Sequence, residues 1–236
     1  MAVFVLVPGG WSGAWTWRDV VSRLETAGHR AVPLTLTGLA ERSHLLRREI
    51  DLDTHVTDVV NALVWNELRD VVLVGHSYGG FPATGAADRA SDRIRSLVYL
   101  DAFLPRDGES MFDIMADDRR AQVKALAASK GEGWKLPWID SPAFAVPDAA
   151  EQARCQRLMT AHPLGTFEQK LKLTGAWQKI PKLTYILAKR YDPSPMHGFA
   201  ARCRADKRWT VREIDAHHML PLLEPQRVAE LLIDAV

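Results

Sequence analysis

Residues 71 to 80 read Val71-Val72-Leu73-Val74-Gly75-His76-Ser77-Tyr78-Gly79-Gly80. An unbroken aliphatic run is the pattern of a strand buried on both faces. This one stops at a serine fenced by glycines and passes into a helical pattern from Phe81 to Ala90. Gly75-x-Ser77-x-Gly79, set between a strand and a helix, permits a sharp turn that leaves the serine hydroxyl at its apex. The turn also lies at a helix N-terminus, where developing negative charge is favoured. A merely glycine-rich surface turn would not need a buried strand on one side and a helix on the other.

The same alternation runs along the chain. Ala2 to Val7, Ala31 to Leu34, Ile94 to Leu100, Leu183 to Leu187 and Trp209 to Ile214 read as further buried strands. Helical spacing appears at Trp17 to Ala27, with Val20, Val21 and Leu24 on one face, and from an N-cap at Asp53 or Thr54 to about Leu68. Strands alternating with helices predict an α/β fold whose mostly parallel, twisted sheet is covered on both faces. Ligands of such sheets bind at the carboxyl ends of the strands. Pro105 to Pro181 breaks the rhythm with helical pieces (Asp117 to Ser129, Ala149 to Thr160), several prolines, the aromatics Trp134, Trp138, Phe144, Phe167 and Trp177, and no evident strand. This predicts a core of residues 1–104 and 182–236, with a helical cap of residues 105–181 inserted before the last two strands.

The composition excludes several classes of function. A formal charge of +1 on 236 residues, without like-charge runs, points away from nucleic acid and anionic membranes as partners. Cys155 and Cys203 have no metal or redox spacing, and two cysteines make no disulfide framework, so a reducing compartment is expected. The apolar stretch near the start is short and lacks a basic leader, so a cytoplasmic location is the default expectation. Neither a G-x-G-x-x-G pattern nor a phosphate-loop lysine occurs.

A serine needs a base oriented by a carboxylate before it becomes a nucleophile. Two adjacent histidines, His217 and His218, follow the last strand, and the spacing alone leaves the choice open. For the acid, Asp192 follows the penultimate strand, although Asp-Pro is also a common turn former. Asp101, at the end of the strand before the cap, is the rival. Asp192 is preferred. The turn Pro8-Gly9-Gly10-Trp11 after the first strand would place the Gly10 amide beside that of Tyr78, two N–H donors for an oxyanion. Trp11, Trp134 and Trp138 are candidate pocket residues, though rings of this kind also serve simply to pack a cap on a sheet.

The blocks VLVPGGWSGAWTWRDV, LETAGHRAVPLTLTGL, VVLVGHSYGG, LVYLDAFLP and HHMLPLLEP resemble the plant methylesterase and hydroxynitrile lyase group of the α/β hydrolases. They are closer still to its bacterial esterase relatives, pyrethroid hydrolases included. The resemblance covers about residues 3 to 110 and 183 to 233, and is weak in the cap. It implies an α/β-hydrolase fold, with Ser77 as nucleophile and the Gly10 and Tyr78 amides as oxyanion donors. The group's histidine lies seven residues before a helix-opening proline, here Pro225, which selects His218. The acid falls near Asp192, one residue out of step with the plant pattern, and Pro8 stands where the plant enzymes carry a histidine. The lyases' threonine and lysine are replaced by Gly9 and Met219, which disfavours cyanohydrin cleavage. The expected activity is therefore that of a serine carboxylesterase acting on a small apolar or aromatic ester, without metal or organic cofactor. The alternatives are a lactonase, an amidase, a lyase or a non-catalytic small-molecule binder on the same frame. A homodimer would be in keeping with the group.

Overall fold

The computed structural model describes residues 1–138 and 141–236. Six strands, β1 (Val3–Val7), β2 (Arg30–Pro33), β3 (Val71–His76), β4 (Ile94–Leu100), β7 (Lys182–Ala188) and β8 (Trp209–Ile214), form one sheet in the order β2-β1-β3-β4-β7-β8. Every pairing in it is parallel. All six expected strands are present, shifted by two residues at most. Strand alternation divides the core in two. Phe4, Leu6, Val72, Val74, Val98 and Leu100 meet Val20 and Leu24 of α1 (Arg18–Thr26) and Val228, Leu231 and Leu232 of α10 (Pro225–Asp234). Val5, Val7, Leu73, Leu97, Tyr99 and Tyr185 face the other way. They pack against α2 (Leu52–Trp65), α3 (Gly80–Arg89) and α8 (Met196–Arg204).

Helix α2 begins earlier than its acidic residues suggested. Asp51, not Asp53 or Thr54, is the N-cap: its Oδ1 accepts the Thr54 N–H at 2.9 Å, and Leu52 enters the core as the first helical residue. The segment between β4 and β7 carries α4 (Met111–Ile114), α5 (Asp117–Lys130), α6 (Ala149–Leu158) and α7 (Gly165–Glu168). It also holds what its sequence does not reveal, an antiparallel ladder of β5 (Lys135–Leu136) with β6 (His162–Pro163). Two-residue strands are too short to show a period. Among the described residues, no helix is long and apolar enough to cross a membrane.

Because the sheet is parallel, β1, β3, β4, β7 and β8 deliver their following loops to the same end. The strand order turns around between β1 and β3, the position where ligand crevices open in sheets of this kind.

Candidate active site

Ser77 is the first residue beyond β3 and sits in the left-handed region at φ 53°, a strained conformation for a residue with a Cβ. Close packing holds it there. A Cβ on Gly75 would lie 2.7 Å from the Gly79 carbonyl oxygen, and one on Gly79 would lie 2.5 Å from that of Pro8. Only glycine lets the turn fold back on β3 and also press against the loop after β1.

His218, in the loop after β8, is buried and reaches Ser77: its Nε2 lies 2.9 Å from Ser77 Oγ. Its Nδ1 lies 2.5 Å from Asp101 Oδ2. A carboxylate only accepts, so Nδ1 carries the proton and Nε2 offers its lone pair to the serine hydroxyl. Asp101 is fully buried at φ 43°, and its Oδ1 accepts the Ala188 N–H at 2.9 Å. The imidazole is held from behind as well. His76 Nε2 donates to the His218 carbonyl at 2.9 Å, with the two rings 5.0 Å apart. Burial, and then the charge of His218, push His76 down to about 3, so that it remains neutral at any working pH.

The preference for Asp192 is not met. Residues 189 and 190 continue to pair with the β8 side (Lys189 N–H to Ile214, Arg190 N–H to Ala216), which carries Asp192 past His218 into solvent. Tyr191 faces the imidazole instead, 4.7 Å from it. Asp101, the rival, makes the contact because it is the first residue after β4, the strand next to the serine's own. His217 turns away from Ser77. Its ring lies 5.2 Å from that of Tyr191, and burial followed by the His218 charge lowers its basicity. Asp215, also near in sequence, pairs with Arg190.

Gly10 and Tyr78 are neighbours. A Cβ on Gly10 would be 3.6 Å from that of Tyr78, and Tyr78 lies in the first turn of a 3-10 helix opened by Ser77, where N–H groups have no intrahelical acceptor. The Tyr78 hydroxyl donates to His55 Nδ1 at 2.9 Å, since His55 Nε2 is committed to the Thr37 carbonyl. Burial brings His55 down to about 4 and raises the Tyr78 phenol.

Above Ser77 lies a cavity of about 660 Å³, walled by Trp11, Phe103, Met111, Phe144, Phe167 and Tyr191 among others, with Asp118 and Arg119 at its polar edge. Of the three tryptophans expected there, Trp11 lines it. Trp134 does not: its indole N–H meets Glu132 and its face meets Lys135. Trp138 stands one layer out, edge-on to Phe144 at 4.6 Å. The buried histidines around the serine went unrecognised in the sequence. A lone histidine among apolar residues carries no spacing that marks what it will hold.

Residues 4–231 match the alpha/beta hydrolase family. The chain belongs to that family. Over 240 residues, covering 98% of each chain, the hydrolase is 38% identical to a carbendazim hydrolyzing esterase of Nocardioides sp. (strain SG-4G). It is also 27% identical to polyneuridine aldehyde esterase of Rauvolfia serpentina, over 98% of this chain and 94% of that one. Among solved structures, an extracellular α/β-hydrolase from a Paenibacillus species superposes with a TM-score of 0.87 at 23% identity, over 100% of this hydrolase and 99% of that chain. A pyrethroid hydrolase from Sphingobium faniae JZ-2 superposes with a TM-score of 0.72 at 21% identity, over 99% and 96%. This hydrolase is thus an enzyme of an esterase-bearing family.

Proposed function

We propose that the hydrolase is a serine carboxylesterase in which Ser77, His218 and Asp101 form the catalytic triad and the Gly10 and Tyr78 amides form the oxyanion hole. The observation that carries the reading is the continuous hydrogen-bonded chain from the buried Asp101 through His218 to a serine on a strained turn at the floor of an apolar cavity.

His218 Nε2 takes the Ser77 proton as Oγ attacks the ester carbonyl, and the C=O π pair becomes an oxyanion facing the two amides. When the tetrahedral adduct collapses, the C–O bond to the alcohol breaks and the imidazolium returns its proton to the departing oxygen. Water, deprotonated by the same nitrogen, attacks the acyl-serine, and a second collapse releases the acid and restores the Ser77 hydroxyl. Asp101 accepts the Nδ1 hydrogen bond throughout, holding the tautomer and offsetting the imidazolium charge. The apolar walls favour a small apolar or aromatic ester, at a cavity size ordinary for small ligands.

The test is intact mass after phenylmethylsulfonyl fluoride, followed by turnover on p-nitrophenyl esters, with carbendazim in the panel because a relative's name carries it. One adduct on wild type, absent from Ser77→Ala and His218→Ala but kept by His217→Ala, is the expected result. A folded wild-type chain with neither adduct nor turnover would refute the reading.

A further inference from the structure

Trp11 follows the proposed oxyanion residue Gly10 and is itself in the left-handed region, at φ 59°. Three hydrogen bonds hold it there, and all three partners belong to the segment between β4 and β7. Its backbone N–H donates to His162 Nδ1 at 3.2 Å, its indole N–H to the Leu136 carbonyl at 3.0 Å, and its carbonyl accepts the Thr160 N–H at 3.0 Å. Leu136 and His162 are the paired residues of the β5–β6 ladder, so two of the three bonds come from opposite strands of one small ladder.

The first bond requires a neutral His162 in one tautomer, and the structure provides for it. His162 Nε2 lies 2.8 Å from Thr166 Oγ1, whose own proton goes to the Pro163 carbonyl at 2.9 Å. Thr166 can therefore only accept from the ring, which puts the ring proton on Nε2 and leaves the Nδ1 lone pair for Trp11. Burial first, and then the cost of placing a second positive charge beside His55, oppose protonation in the same sense.

We propose, resting on the esterase reading above, that His162 is a positioning residue for catalysis: the β5–β6 ladder uses it to fix the Gly10–Trp11 peptide plane, which anchors the Gly10 Cα from its far side and so limits rotation of the adjoining Gly9–Gly10 plane that carries the Gly10 N–H. Without this bond the left-handed Trp11 relaxes, and the donor turns away from the place where charge develops. Loss of one oxyanion donor costs about 10²–10³ in kcat, and misdirecting one costs part of that.

The test compares wild type, His162→Leu, which removes the acceptor, and His162→Asn, whose Oδ1 stands near the place of Nδ1. Each is assayed per titrated active site for kcat and KM on a p-nitrophenyl ester. Inhibition by an aryl trifluoromethyl ketone, which binds through its own oxyanion, is measured alongside. His162→Leu is expected to lose roughly 10- to 100-fold in kcat with KM little changed, and the ketone to weaken in step, while His162→Asn recovers most of both. A purely structural role would lower the melting temperature and the titratable fraction but not the rate per site. Wild-type kcat per site in His162→Leu, or a loss confined to KM, would overturn the proposal while leaving the esterase reading intact. A wild-type chain without turnover would remove both together. Should His162→Leu fail to fold, the nearly isosteric Thr166→Val frees the tautomer. Its kcat is expected to fall at least about threefold, and an unchanged value would overturn the proposal.

Discussion

Lowering the pH from 7.5 to 5 should destabilise this hydrolase far more than its balanced charge suggests, and three histidines give the reason. His55, His76 and His162 are fully buried and neutral, the first two pushed down to about 4 and about 3 by burial, the third lowered by burial as well. In the unfolded chain each returns to its ordinary value near 6.5. Below that value the unfolded state takes up protons that the folded state refuses, so stability is full above about 6.5 and falls as the pH drops towards the folded values. At pH 5, about 1.5 units below 6.5, His55 and His76 cost about 2 kcal/mol each, about 4 kcal/mol together, and His162 adds to the loss in the same direction. That is a large part of the whole stability of a typical domain, roughly 5–15 kcal/mol. For a chain of this length the His55 and His76 contributions alone correspond to a drop in Tm of roughly 8–16 °C. Carboxylates such as Asp113, held down by its hydrogen bonds to Ser110, act in the same direction only near pH 4 and below, outside this window. The assay is thermal unfolding followed by circular dichroism at half-unit steps between pH 7.5 and 5. His55→Gln, run beside wild type, should reduce the drop in Tm by roughly 4–8 °C. A Tm constant within about 3 °C over that range would refute the reasoning, because the three rings would then not be held neutral against solution.

Four further outcomes are expected. Asp101→Asn should cut kcat by about 10³- to 10⁴-fold in steady-state ester assays, because the imidazole loses its orienting acceptor. Asp192→Asn should stay within about twofold of wild type, since the exposed carboxylate touches neither His218 nor Ser77. Gly79→Ala should destabilise the chain by about 1–3 kcal/mol or more in urea titration and slow turnover, its Cβ being driven against the Pro8 and Val7 carbonyls. Phe144→Ala removes a wall between Trp11 and Trp138, and turnover should extend to bulkier aryl esters while KM for the smallest rises about three- to tenfold.

How much of this could be read beforehand follows from how local each signal is. The sheet was legible because strands such as Val71–His76 and Ile94–Leu100 are buried on both faces and must be apolar at nearly every position. Ser77 was legible for a similar reason: its left-handed backbone and crowded neighbours demand glycines at fixed offsets. The partner of His218 was not, because which strand end supplies the carboxylate depends on sheet order, and Asp101 and Asp192 each follow a strand equally well. The order places β4 beside β3, and a continued turn beyond β7 carries Asp192 outward. The β5–β6 ladder and the orientation of Trp134 are set by contacts between segments far apart in the chain, which no local pattern encodes.

The position of Asp101 has a consequence for how the enzyme can change. With Asp101 as the proposed acid, the loop after β7 need supply no carboxylate to His218; beyond Tyr191, which packs on that imidazole, its Pro193, Ser194 and Pro195 stand in the wall of the cavity. Insertions and substitutions there can reshape what enters without moving any group that handles the proton. Selection, or a focused library at Pro193, Ser194 and Pro195, can therefore explore new substrates while the proposed triad stays in place.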